Sequence, residues 1–170
     1  VLVVSDRERA RALERAAAHN VPSVLLNPKD FGDRDTYDAA VSRVLEEHRI
    51  GLVCLAGFMR ILGPAFVRAW QGRLMNIHPS LLPAFPGLHP QRQALDAGAR
   101  ISGATVHFVD EGVDTGPIVL QSSVPVEADD TEETLAARIL IEEHRLYPQA
   151  VRLFAEGRLR IAGRKVVVES

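Results

Sequence analysis

Cysteine is nearly absent from this chain of 170 residues: Cys54 stands alone. No intrachain disulfide can form, and a lone thiol suits a reducing cytoplasm. Within the apolar run Leu52-Val53-Cys54-Leu55-Ala56 it reads as a small buried hydrophobe rather than a nucleophile. Lysine is almost as scarce. Only Lys29 and Lys165 break an otherwise all-arginine basic set, and twenty basic against twenty-two acidic residues leave a net charge of -2. A chain so balanced, with no basic block, offers no dense cationic face and disfavours nucleic acid as main partner. No apolar run of about 18 residues is present to span a bilayer, and no charged-then-apolar leader resembles a signal peptide. Gly-x-Gly-x-x-Gly is missing after every strand-like run, which argues against a dinucleotide site. His-Glu-x-x-His and paired cysteines are missing too, so a metal site formed by His78, His89, His107 and neighbouring acids has little support.

What remains is 46% hydrophobic and 25% charged, enough for one sizeable core, and residues 1–170 read as a single domain. Apolar runs at Val1 to Val4, Ser23 to Leu26 and Leu52 to Ala56 alternate with helical patterns at Arg7 to His19 and Arg34 to His48. That alternation predicts an α/β fold: a three-layer, Rossmann-like, mostly parallel sheet with helices on both faces. Gly63-Pro64 opens a short helix through Trp70, and Leu74 to Ile77 is a further strand. The prolines between His78 and Pro90 then impose an irregular, stiff segment, where α/β folds place their sites. A short helix spans Gln91 to Ala97. Strands at Ala104 to Val109 and Pro117 to Val126 flank the polar loop Asp110 to Gly116. A final helix starts at Asp130 or Thr131, runs to Tyr147-Pro148 and resumes to Glu156.

Among six histidines, His78 stands out by position. It lies two residues after Asn76 on a strand, so both side chains face one side. An amide donor and an imidazole then share one cleft beside a proline-fixed loop. A carboxylate from Asp110, Glu111 or Asp114 could orient that imidazole and favour its charged form if the loop lies over it. Donor amide, protonatable histidine and carboxylate suit a reaction that develops an oxyanion. The set lacks a nucleophile. Ser80 has no Gly-x-Ser-x-Gly surroundings and reads as a turn stabiliser, so the nucleophile is a second substrate.

The stretch Asn76-Ile77-His78-Pro79-Ser80-Leu81-Leu82-Pro83, preceded by Leu55-Ala56-Gly57-Phe58-Met59-Arg60-Ile61-Leu62, resembles the phosphoribosylglycinamide formyltransferase family. So do Pro86-Gly87-Leu88-His89 and Gly103-Ala104-Thr105-Val106-His107-Phe108-Val109-Asp110-Glu111-Gly112-Val113-Asp114-Thr115-Gly116-Pro117, and the likeness runs from Val1 to about Gly157. The resemblance implies formyl transfer from 10-formyltetrahydrofolate, as cosubstrate, to the amine of glycinamide ribonucleotide in purine biosynthesis, without a metal. It implies that Asn76, His78 and Asp114 are catalytic, Asp114 holding His78 charged. Folate contacts fall on Arg34, Met59, Arg60, Ile61, Leu62, Asn76 and the loop residues Asp110, Glu111, Gly112, Val113 and Asp114. Ribonucleotide contacts fall on Pro79 and Glu143, and Thr105, His107 and His89 support the site. The partners implied are small molecules in the cytoplasm, with no nucleic acid or membrane and with a homodimer open as an assembly. The family opens with a strand, a Gly-x-Gly-Ser-Asn type loop that holds the phosphate, and a helix. None precedes Val1, so the likeness is to a member without its first βα unit.

Formyltetrahydrofolate deformylase, with water in place of the amine, is the nearest alternative. Methionyl-tRNA formyltransferase needs a basic RNA-binding extension, which is not seen before Ser170. A non-catalytic folate or nucleotide binder and a His/Asp metal hydrolase are the readings from other classes.

Overall fold

The computed structural model describes residues 1–169, which fall into two compact units, residues 1–53 with 59–70 and residues 54–58 with 71–169. In the first, β1 (Val3–Ser5) and β2 (Ser23–Leu25) pair in parallel, Val4 opposite Val24, with α1 (Arg11–Ala18) as the crossover a parallel pair requires. Beyond the short 3-10 turn Pro28–Asp30 comes α2 (Arg34–Glu47). The Asp33 side chain caps it, accepting the Thr36 N–H at 2.7 Å and thereby satisfying an orphan donor of the first turn. Its buried residues are Tyr37, Asp38, Ala40 and Leu45. The helix α3 (Pro64–Ala69) begins with Gly63 as cap and proline at its first position, where no N–H is needed. Trp70 closes it, buried against Phe66 and donating its indole N–H to Ser42 Oγ at 2.9 Å.

The six-stranded sheet runs in the order β3 (Val53–Leu55), β4 (Leu74–His78), β5 (Ile101–Phe108), β6 (Ile118–Pro125), β8 (Lys165–Val168), β7 (Leu159–Ala162). The α/β class expected from the sequence holds, but the pairing is mixed rather than mostly parallel. The β4-β5, β5-β6 and β7-β8 pairs are antiparallel, and β6-β8 is parallel. Connection length is the reason. Residues 109–117 between β5 and β6 are too few for a crossover, so the chain turns back antiparallel. The short α4 (Pro90–Asp96) precedes β5.

From Ser102 to Phe108, β5 is buried on both faces. The long α5 (Glu132–Ala155) packs on β5 and β6 through Leu135, Ile139, Leu146, Ala150 and Leu153. It is one continuous helix, with Pro148 inside it, where the sequence predicts a break at Tyr147-Pro148. Burial of Leu146 and Ala150 on either side of the proline holds the helix across the hydrogen bond that proline cannot make. Tyr147, next to it, places its hydroxyl 2.8 Å from the Leu55 carbonyl and 2.9 Å from that of Met75, which ties α5 to β3 and β4. Cys54 corrects a second expectation. It is exposed, because the apolar run it sits in forms only a three-residue strand at the sheet edge. The surrounding chain still desolvates the sulfur and pushes the thiol pKa up, so no activated thiolate results.

Candidate active site

Asn76 and His78 occupy alternate positions on β4, with Asn76 opposite His107 and His78 opposite Thr105 across the ladder to β5. These four side chains are therefore set by register rather than by loop conformation. The His78 imidazole is buried, with 4% of the residue exposed. Its Nδ1 lies 3.3 Å from Asp114 Oδ2, and its Nε2 lies 2.9 Å from the carbonyl of Phe85. Both ring nitrogens thus face acceptors.

Asp114 comes from the 109–117 loop. It has a left-handed backbone, φ 54°, a conformation that Asp tolerates better than most residues, and its Oδ2 accepts the Gly87 N–H at 2.8 Å. The same loop is organised internally by Asp110, whose Oδ1 accepts the Gly112 N–H at 3.1 Å and the Thr115 hydroxyl at 2.6 Å. Gly116 is required where the loop rejoins the sheet, since a Cβ there would collide with the Phe108 carbonyl. Glu111, Gly112 and Val113 form the exposed crest.

His107 is almost wholly buried and titrates below the ordinary histidine range. Desolvation is the main cause, opposed by the Phe108 carbonyl and by the charge of Asp114. The neutral ring donates from Nδ1 to the Phe108 carbonyl at 3.0 Å, which leaves Nε2 to accept from the Asn76 amide at 3.4 Å. Asp114 Oδ1 stands 3.7 Å from the same Nε2. One Asn76 N–H is anchored in this way, and the other has no protein acceptor among the described residues.

The proline-rich segment after His78 is pinned by one hydroxyl. Thr105 Oγ1 donates to the Ser80 carbonyl at 2.7 Å and accepts the Leu82 N–H at 3.1 Å and the Gln121 amide at 2.9 Å. Ser80 Oγ donates to the Ala84 carbonyl at 2.6 Å, the turn-stabilising use expected of it. Leu82-Pro83 is a cis peptide. Neither Gln121 nor the Phe85 carbonyl is identified by sequence reasoning. The signal for Gln121 is its register position opposite Thr105, which strand alternation alone does not give.

The remaining predicted residues are scattered. Pro79 directly follows β4. Glu143 on α5 is half-buried, and burial alone raises its carboxyl pKa. His89, with φ 54° at the start of α4, pairs with Glu132 at 3.5 Å and not with the His78, His107 and Asp114 group. Arg34, Met59, Arg60, Ile61 and Leu62 lie in the first unit. There Met59 and Ile61 are exposed, Arg34 reaches Asp35 at 3.4 Å and Arg60 sits 5.3 Å over the Tyr37 ring. Among the described residues no group of three or more His, Cys, Asp or Glu side chains is arranged to hold a metal ion. No helix among them is long and apolar enough to cross a membrane.

The family described as formyl transferase matches residues 1–151. A phosphoribosylglycinamide formyltransferase of Escherichia coli (strain K12) is 45% identical over 159 residues, which cover 94% of this chain and 75% of the relative. The trifunctional purine biosynthetic protein adenosine-3 of Drosophila pseudoobscura pseudoobscura is 55% identical over 160 residues, 94% of this chain, and the chain spans 12% of that protein's length. Among solved structures, glycinamide ribonucleotide transformylase 1 from Symbiobacterium toebii superposes with a TM-score of 0.98 at 52% identity, covering 100% of this chain and 80% of its own. With the Asn76, His78 and Asp114 geometry in place and these likenesses running through both units, the chain belongs to the formyl transferase family, in its phosphoribosylglycinamide formyltransferase branch.

Proposed function

We propose that the protein transfers the formyl group of 10-formyltetrahydrofolate to the amine of glycinamide ribonucleotide, in the cytoplasm, with both units as parts of one catalytic domain. The observation that carries this reading is the Asp114 carboxylate 3.3 Å from His78 Nδ1, with the Asn76 amide on the same face of β4. The ribonucleotide amine attacks the formyl carbon, a C–N bond forms, and the carbonyl oxygen gains negative charge. The free Asn76 N–H and the Nε2–H of His78 stabilise that oxyanion. Phe85 occupies Nε2 in this structure, so the formyl oxygen replaces its carbonyl as acceptor. Asp114 fixes a proton on Nδ1 and, through water, carries the amine proton toward the folate nitrogen as the old C–N bond breaks. Arg34, Met59 to Leu62 and the Asp110 to Asp114 loop bind the folate. Pro79 and Glu143 contact the ribonucleotide, and Thr105 and His107 support the site, whereas His89, paired with Glu132, does not join it.

The test is a steady-state assay with 10-formyltetrahydrofolate in the presence and absence of glycinamide ribonucleotide. Tetrahydrofolate release that depends on the ribonucleotide supports transfer, whereas equal release of formate without it shows a deformylase. In the same assay His78→Ala lowers turnover by about two to four orders of magnitude, the usual contribution of a positioned acid. Near-normal turnover in that variant removes His78 from the mechanism.

A further inference from the structure

The carboxylate of Asp38 is one of few buried charged groups, with only 5% of the residue exposed, and no step above uses it. It accepts the Gly63 N–H at 2.6 Å. Gly63 immediately follows Arg60-Ile61-Leu62 and caps α3 with no side chain of its own, so this bond fixes the end of that segment. The neighbouring Tyr37 fixes its start. Its ring is 2% exposed, is braced edge-on by Phe31 at 5.5 Å and lies under the Arg60 guanidinium. Two consecutive residues in the first turns of α2 therefore grip the chain at Arg60 and at Gly63. The fit at Gly63 is close: a Cβ there would stand 3.0 Å from Asp35 Oδ1 and 3.1 Å from Asp38 Oδ2.

A buried carboxylate is a costly way to hold one N–H, which an Asn or Ser could also accept. Its charge has a use here. Burial pushes the Asp38 carboxyl up, while the Gly63 N–H and the positive charges of Arg34 and Arg60 pull it back, with Asp35 opposing them. The ionised form makes the 2.6 Å bond to Gly63 a charge-assisted one, shorter and stronger than a neutral acceptor gives.

We infer that Asp38 is a positioning residue for the folate: through its short bond to Gly63 it sets the Arg60-Ile61-Leu62 segment. This rests on the folate-binding part of the reading above. Asp38 touches no substrate itself.

The experiment measures calorimetric binding of 5-formyltetrahydrofolate to the wild type, Asp38→Ala and Asp38→Asn, together with KM for both substrates and kcat. Asp38→Ala should weaken 5-formyltetrahydrofolate about tenfold, the size of one lost charge-assisted hydrogen bond. Asp38→Asn keeps an acceptor for Gly63 but not the charge and should recover part of that loss, to about threefold weaker than wild type. In both, KM for the ribonucleotide and kcat at saturating folate should stay within about twofold. An unchanged folate affinity in Asp38→Ala overturns the proposal, as does a parallel rise of both KM values with a fall in kcat, the pattern of general unfolding. If Asp38→Ala does not fold, Asp38→Asn decides by the same criterion. Wild-type protein that binds 5-formyltetrahydrofolate without transferring a formyl group refutes the activity and leaves Asp38 to be judged on affinity. Wild-type protein that binds no folate overturns both.

Discussion

His107 has its two nitrogens doing different work, and that depends on the ring staying neutral. Protonated at Nε2, it could no longer accept from Asn76, and the amide that the proposed reaction uses would lose its anchor. Burial is what keeps the ring neutral, at the expense of proton affinity in the folded state. The unfolded chain binds this proton near pH 6.5 and the folded chain only at lower pH, so His107 contributes its full stability above about 6.5 and loses it as pH falls toward the lowered value. Asp114, His78 and Asp110 are the charged or titratable neighbours that bear on it, the two carboxylates opposing the depression and His78 adding to it. The non-titrating variant His107→Gln should therefore be less stable than wild type at neutral pH, with the gap narrowing between about pH 7 and pH 5. Thermal melts of the two proteins across that range check it, and a constant gap means that His107 is not the group responsible.

At the scale of elements, α5 shows how a helix start is fixed. Thr131 and Thr134 form a reciprocal cap, and Asp130 just before them accepts two guanidinium bonds from Arg138, both at 2.8 Å, as well as the Thr134 hydroxyl and the Glu127 N–H. The Arg138 bonds are the main reason that the Asp130 carboxyl lies far below the usual carboxylate range. A depressed acid stabilises the fold above its unfolded value of about 3.8, and the contribution fades as pH falls through the folded one. Asp130→Asn should lower the melting temperature by a few degrees at neutral pH, and the difference should hold down to about pH 4 and narrow only in stronger acid, as melts at about pH 7, 5 and 2 would show. The acidic first turn after a capping residue made this helix start legible in the sequence. Other elements were legible only in part. The Asn76 and His78 pair was readable because a strand period of two fixes the face. The partnership of His107 with Asn76 was not, because it depends on which residue of β5 lies opposite. The β7-β8 hairpin turns at Gly163, φ 61°, between Leu159-Arg160-Ile161-Ala162 and Lys165-Val166-Val167-Val168. A glycine of positive φ at the first position of a two-residue turn was its available signal. Mixed pairing escaped the sequence for a different reason: alternating strands and helices announce crossovers, while the turn-back between β5 and β6 shows only in the length of its loop.

Across the whole molecule, the residues of the proposed site are divided between the firmest and the loosest kinds of structure. Asn76, His78, Thr105 and His107 stand on β4 and β5, and β5 is flanked by paired strands and buried on both faces. Asp114 and the exposed crest Glu111 to Val113 stand on a loop held by a few polar bonds, among them the one to Gly87. Under the proposed function, such a division has the strands preserve geometry while the loop admits and releases the folate. Local opening costs less where buried apolar contacts are few, so amide exchange should map this division directly. Amides of Ser102 to Phe108 should exchange slowest, near the rate set by global unfolding. Those of Glu111 to Thr115 and of the largely exposed β7-β8 hairpin should exchange orders of magnitude faster. Adding 5-formyltetrahydrofolate at about a hundred times its Kd should slow the loop amides selectively before it affects the hairpin, because a ligand protects the states that bind it. Hydrogen-deuterium exchange with mass spectrometry resolves these segments. Equal protection of the loop with and without the folate would mean that the 109–117 segment is not the moving part, and that Asp114 is set as rigidly as the strand residues it serves.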